Sequence, residues 1–183
     1  MAKILVTGGA GYIGSHTCIQ LLSAGHDVVV LDNLSNSSVE SLARVQALAA
    51  KKLDFVEGDI LDQQILDQIF QHHSIDAVIH FAGLKAVGES QKEPLKYFEN
   101  NISGSISLVK AMERAQVFKL VFSSSATVYD EANISPLNET MPTGMPSNNY
   151  GYTKLIVEQL LEKLSAADER WSIALLRYFN PVG

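Results

Sequence analysis

Short apolar runs alternate along this chain with longer stretches whose apolar residues recur at helical spacing. The runs predict β-strands at Lys3–Thr7, Asp27–Leu31, Leu53–Glu57, Ala77–Phe81, Lys119–Ser124 and Ser172–Arg177. The longer stretches predict helices at Tyr12–Ala24, Ser38–Ala49, Gln63–Gln71, Pro94–Ala115 and Tyr150–Ala166. Pro94 suits the first turn of its helix, where a missing N–H costs nothing. The runs are rich in β-branched residues and show little polar alternation, which predicts a parallel sheet covered on both faces. Six strands joined by helical crossovers predict a doubly wound α/β sheet in the order 3-2-1-4-5-6. Ligands of such sheets bind beyond the carboxyl ends of the strands. The positions to inspect are therefore Gly8, Asp32, Asp59, Phe81 to Lys85, Ser125 and Phe179, each just past a run.

Composition narrows the class. The chain has 183 residues, 46% of them hydrophobic, enough for one domain with a real core. A net charge of −6 argues against nucleic acid as the main partner. Cys18 is the only cysteine, so no internal disulfide forms, and a small buried role suits it. No His/Cys spacing suggests a metal site. The first apolar run is too short for a signal peptide, and no stretch reaches the length of a membrane span. These features predict a soluble cytoplasmic protein, in which sequons at Asn33 and Asn138 are chance matches.

Between the first strand and the first helix runs Gly8-Gly9-Ala10-Gly11-Tyr12-Ile13-Gly14. Strand, glycine-rich turn and helix in that order form a cradle for a dinucleotide pyrophosphate. The glycines keep Cβ atoms out of the way, and the helix N-terminus offers free N–H groups. Asp32 lies eighteen residues past Gly14, where a carboxylate accepts from an adenosine ribose and repels a 2′-phosphate, favouring NAD over NADP. Its alternative is a turn aspartate in Asp32-Asn33. Asp59 could approach the adenine or cap the following helix. Lys85 could bind a ribose hydroxyl or a phosphate, or be a solvated lysine. His80, inside a strand, reads as a satisfied core histidine.

Tyr150-Gly151-Tyr152-Thr153-Lys154 carries the second signal. Positions i and i+4 share a helix face, so the Tyr150 hydroxyl and the Lys154 ammonium point into one cleft. A nearby cation favours the phenolate and makes Tyr150 a candidate base. Ser125, in Ser123-Ser124-Ser125, is a candidate for bonding a substrate oxygen and the tyrosine hydroxyl together, although three serines could also simply satisfy a turn.

With these residues the chain resembles the extended short-chain dehydrogenase/reductase family, which has a TGGxGxxG turn and a YxxxK pair. The similarity is strongest to its sugar-nucleotide 4-epimerases. It extends through Leu31-Asp32-Asn33-Leu34, Val56 to Ile60, His80 to Ser90, Ser123 to Tyr129 and Leu176 to Gly183. The resemblance implies a Rossmann domain over residues 1–183, cut before a substrate domain, because the chain stops just after its last strand. It implies NAD contacts at Gly8, Gly11, Tyr12, Ile13, Gly14, Asp32, Asn33, Leu34, Ser35, Asn36, Ser37, Asp59, Ile60, Phe81, Ala82, Gly83, Leu84, Lys85, Asn100, Tyr150, Lys154 and Phe179. Lys85, Ser125, Tyr150, Tyr178 and Asn180 would meet a UDP-sugar. The implied activity is redox-neutral interconversion of UDP-glucose and UDP-galactose through a 4-keto sugar, with Tyr150 as base, Lys154 holding the nicotinamide ribose and Ser125 assisting; the alternatives are another sugar-nucleotide epimerase or oxidoreductase, or an NAD-binding module only. Related dehydratases carry an Asp-Glu pair before Val-Tyr, where this chain has Ala126 and Thr127. The resemblance also implies a homodimer built from the helices Pro94–Ala115 and Tyr150–Ala166, and little or no turnover by this chain alone.

Overall fold

The apolar runs form strands at nearly the expected places in a computed structural model that describes residues 1–182. The last residue of the resemblance, Gly183, lies outside the described residues. The chain runs β1 (Lys3–Thr7), α1 (Tyr12–Ser23), β2 (Asp27–Asp32), α2 (Val39–Ala49), β3 (Asp54–Glu57), α3 (Gln63–His72) and β4 (Ala77–His80). It continues with α4 (Val87–Lys92), α5 (Pro94–Phe98), a π-helical turn (Glu99–Ser103), α6 (Gly104–Arg114), β5 (Lys119–Ser125), a 3-10 turn (Ala126–Val128), α7 (Asn149–Ala167) and β6 (Ser172–Tyr178). The six strands are parallel and ordered β3-β2-β1-β4-β5-β6, as the crossover pattern predicts.

Alternation along the strands builds two apolar layers. Leu5, Val29, Leu31, Val78 and Phe122 face α3, α6 and α7, while Ile4, Val6, Val28 and Val30 face α1 and α2. Burying each such side chain contributes about 1.5–3 kcal/mol, which explains why the runs are apolar on both faces. Cys18 is fully buried in the second layer, and burial pushes its thiol up to about 12. Among the described residues no helix is long and apolar enough to cross a membrane, and no group of His, Cys, Asp and Glu could hold a metal ion.

Two elements depart from the expected pattern. The single helix expected over Pro94–Ala115 is α5, the π turn and α6, with Pro94 in its first turn. The helix α4 has only Val87 as an apolar residue, and that side chain is exposed, so no periodicity announces it. Polar bonds hold it instead. The Tyr97 hydroxyl donates to Glu89 at 2.7 Å, and Ser90 Oγ accepts from Tyr150 N at 3.2 Å. Asp62, rather than Asp59, caps α3 by accepting from Gln64 N and Ile65 N.

Candidate active site

The carboxyl ends of the strands open into one cleft of about 320 Å³. At its floor, β1 turns into α1. Gly8 has φ +70°, and a Cβ there would lie 2.6 Å from Ala82 N. A Cβ on Gly14 would collide with the Gly8 carbonyl oxygen. Only glycine lets β1, the 81–85 loop and α1 approach this closely. Gly11 precedes α1, and no side chain caps the helix. Its first amides and positive dipole end therefore face the cleft unneutralised, the arrangement that receives a phosphate.

At the end of β2, Asp32 is nearly buried and heavily engaged. One carboxylate oxygen accepts from Ala10 N at 2.9 Å, and the other from Leu34 N at 2.9 Å and Ser37 Oγ at 2.8 Å. The turn role and a ligand role are both open to it, because a carboxylate has about four acceptor sites and Asp32 also lines the cleft. Asn33, Ser35 and Asn36 line the cleft beside it. Leu34, at φ 56°, instead packs on the α1/α2 layer, and Ser37 spends its hydroxyl on Asp32. Asp59 lies outside the lining, accepting from Asn33 Nδ2 at 2.8 Å and Leu61 N at 2.9 Å, while its neighbour Ile60 lines the cleft. Gly14 serves the packing behind the turn. Gly8, Gly11, Tyr12, Ile13, Phe81, Ala82, Gly83, Leu84, Lys85 and Asn100 all line the cleft.

The opposite wall carries Ser125, Tyr150, Lys154, Tyr178, Phe179 and Asn180. The start of α7 is held from two sides, by Asn148 accepting from Gly151 N and by Ser90 accepting from Tyr150 N. Burial pushes the Tyr150 phenol above its ordinary range, and the Ser125 hydroxyl beside it pulls the other way. Lys154 is 6% exposed. Its Nζ donates to Ser123 O at 2.8 Å and stands 4.8 Å from the Phe122 ring centre and 6.0 Å from that of Tyr150. Burial lowers its ammonium to about 8, with Glu158 opposing. Ser125 Oγ accepts from Thr127 N and Thr127 Oγ1. Ser124, on the same wall, has a buried hydroxyl with no partner among the described residues.

Two buried polar residues invisible to the pattern brace this wall. Asn101, in the π turn, donates to Leu84 O and Thr153 Oγ1, each at 2.9 Å, and accepts from Leu84 N at 2.8 Å. It thereby ties the 81–85 loop to α7. Its carbonyl accepts from Ser105 Oγ, so that oxygen must accept from His80 Nε2–H, and the Thr7 hydroxyl donates to His80 Nδ1 at 2.6 Å. His80 is the satisfied core histidine its place in the strand predicts, with burial lowering it to about 3. The second residue, Glu158, is paired with Arg177 of β6. Its one visible signal is position, four residues past Lys154 on the face shared with Tyr150.

Residues 4–183 match the NAD dependent epimerase/dehydratase family. A UDP-glucose 4-epimerase of Bacillus subtilis is 59% identical over 180 residues, covering 98% of this chain and 53% of that protein. A crystal structure of UDP-glucose-4-epimerase from Stenotrophomonas maltophila, with bound NAD and formylated UDP-arabinopyranose, superposes with a TM-score of 0.97 at 52% identity, covering 100% of this chain and 54% of that one. The UDP-glucose 4-epimerase of Bifidobacterium longum, in complex with NAD+ and UDP, gives 0.97 at 48% identity, covering 99% and 54%. The chain thus spans about half the length of the curated relatives it matches. A match across almost the whole chain, on a sheet with this strand order and this cleft, places the chain in the NAD dependent epimerase/dehydratase family.

Proposed function

We propose that this chain forms the NAD-holding half of a UDP-glucose/UDP-galactose 4-epimerase. The observation that carries the reading is a single cleft with the glycine turn and uncapped α1 on its floor and Ser125, Tyr150 and Lys154 on its wall. A dinucleotide fits what is there. A Cβ would fill the cradle at Gly8, and Ser124 offers an unpartnered hydroxyl. The pyrophosphate would lie on Gly8, Gly11 and the first amides of α1. The adenosine ribose would take the remaining acceptor capacity of Asp32. Asp59 acts through Asn33, whose amide it orients. Phe81 to Lys85 and Asn100 would meet the nicotinamide half, held in place by Asn101.

Bound NAD supplies reversible oxidation at the sugar C4. The rest is the work of this chain. Tyr150 removes the proton of the sugar 4-hydroxyl and later returns it. Ser125, already accepting two bonds, has one hydrogen to place between the Tyr150 oxygen beside it and the sugar oxygen. Lys154 supplies a positive charge beside Tyr150, favouring the phenolate that burial alone opposes. Tyr178 and Asn180 would hold the sugar nucleotide. At the dehydratase acid–base positions stand Ala126, which cannot transfer a proton, and Thr127, whose hydroxyl bonds Ser125. That observation favours epimerisation over elimination.

Phe179 is 60% exposed, and Asn180 is exposed beside it, so the sugar side of the cleft is open. The chain by itself should bind NAD and give little or no interconversion. Native mass spectrometry with added NAD tests the first part: a one-to-one adduct supports the reading, and its absence at millimolar NAD overturns it. Coupled assay of UDP-galactose conversion tests the second. In a protein carrying the remaining length of its relatives, Tyr150→Phe should retain the NAD adduct and lose conversion.

A further inference from the structure

The row Tyr150, Lys154, Glu158 runs down one face of α7 at four-residue spacing, into the protein. The first two members face the cleft. The third does not, and is 1% exposed. Arg177 of β6 grips its carboxylate, with Nε 3.2 Å from both oxygens and Nη2 2.8 Å from one. The guanidinium also lies 4.8 Å over the Tyr129 ring. A buried carboxylate so held cannot swing away, and it sits one helical turn from a buried ammonium.

Lys154 needs such a partner. Ser123 O and the Phe122 ring contact its ammonium, but neither carries a charge. The titratable and charged groups on α7 and the elements packed against it are Tyr150, Tyr152, Glu158, Glu162 and Lys163 on α7, Glu89 and Lys92 on α4, Lys96 and Tyr97 on α5, Glu99 in the π turn, Lys119 on β5, and Arg177 and Tyr178 on β6, with His80 on β4 and Tyr129 beyond β5. His80 is neutral, and Arg177 is a cation. Of the carboxyl groups among them only Glu158 is buried, and its charge acts to keep the proton on Lys154.

We propose that Glu158, clamped by Arg177, is a positioning residue that keeps Lys154 charged in its dry seat beside Tyr150. The pair thus does more than pin β6 to α7. Its functional consequence rests on Lys154 belonging to the NAD and proton-transfer site proposed above. The charge itself is measurable with no cofactor present.

The two partners act on Lys154 with opposite signs. Glu158→Gln keeps an oxygen for Arg177 but removes the negative charge, leaving Lys154 to face Arg177 alone. Arg177→Met removes the competing cation and leaves Glu158 to Lys154. The test is a pH titration of the chain labelled with 13C-lysine and followed by NMR, with the Lys154 signal assigned by K154R. The native midpoint should lie at about 8, where burial puts this ammonium. It should fall in E158Q and rise in R177M, the directions that removing an opposite charge and a like charge produce. E158D, which restores the charge, should return the midpoint toward the native value.

A pair that only staples two elements would leave the midpoint in place, or move it the same way in both variants by loosening the packing. Either result overturns the proposal. Should one variant fail to fold, the other decides by the direction of its shift, and should both fail, a Lys154 signal already neutral at pH 7 in the native chain overturns the proposal. A failed titration leaves NAD binding standing, and failed NAD binding leaves the titration standing.

Discussion

Lys154 is the residue at which the proposed function and stability oppose each other. Lowering a lysine from 10.5 to about 8 means that the folded state disfavours the proton by about 3 kcal/mol at neutral pH. The sign follows from the direction of the shift. Above pH 10.5 lysine is neutral folded and unfolded, and there is no penalty. As pH falls toward 8, the unfolded chain takes up a proton that the folded chain resists, and stability is lost. Lys154→Met should therefore stabilise the chain by about 1–3 kcal/mol at pH 7, with the gain shrinking toward zero near pH 10.5. Urea denaturation of both proteins across that range measures it, and equal stability at pH 7 would show that burial does not penalise Lys154. The Tyr150–Lys154 pair is legible in sequence because i,i+4 spacing is a geometric fact of helices. How far burial perturbs each group is not legible, since it depends on Phe122 and Ser123 from another element.

Among the elements, β1, β4 and α6 are joined by one polar chain: Ala82 N donates to Thr7 Oγ1, Thr7 to His80, His80 to Ser105, and Ser105 to Asn101 O. A proton added to His80 would turn its Nδ1 from acceptor to donor and set it against the Thr7 hydroxyl. With His80 lowered from 6.5 to about 3, the unfolded chain binds this proton first as pH falls, so stability declines from pH 6.5 downward. The contribution is about 1.4 kcal/mol per pH unit. Denaturation midpoints compared between pH 7 and pH 5 should fall less in His80→Gln than in the native chain, and parallel slopes would refute the assignment. All six strands and most helices were readable from apolar runs and helical spacing, because each buries a face against the sheet. The α4 helix and the π turn were not, because hydrogen bonds from Tyr97, Ser90 and Asn101 hold them, and such bonds leave no periodicity.

For the whole molecule, strand order follows from consistent crossovers, and with it the edge where a ligand must lie. Reading that edge residue by residue works less evenly. Asp32, Ile60 and Asn100 reach the cleft, while close beside them Leu34 turns to the core, Ser37 to Asp32 and Asp59 to Asn33. Adjacent side chains point in different directions, and only the fold decides which. The glycines divide in the same way, with a consequence for what mutation can explore. At Gly8 any side chain meets the backbone of Ala82, so no single substitution passes without moving two strand ends. At Gly88, in α4, a Cβ would meet nothing within 4 Å. Gly88→Ala should stabilise the chain by about 0.5–1 kcal/mol in thermal melts, through helix propensity alone. Gly8→Ala should lose both stability and the NAD adduct. Of two glycines in one fold, one is a locked door to variation and the other stands open, and the nearest atoms, not the residue type, set the difference.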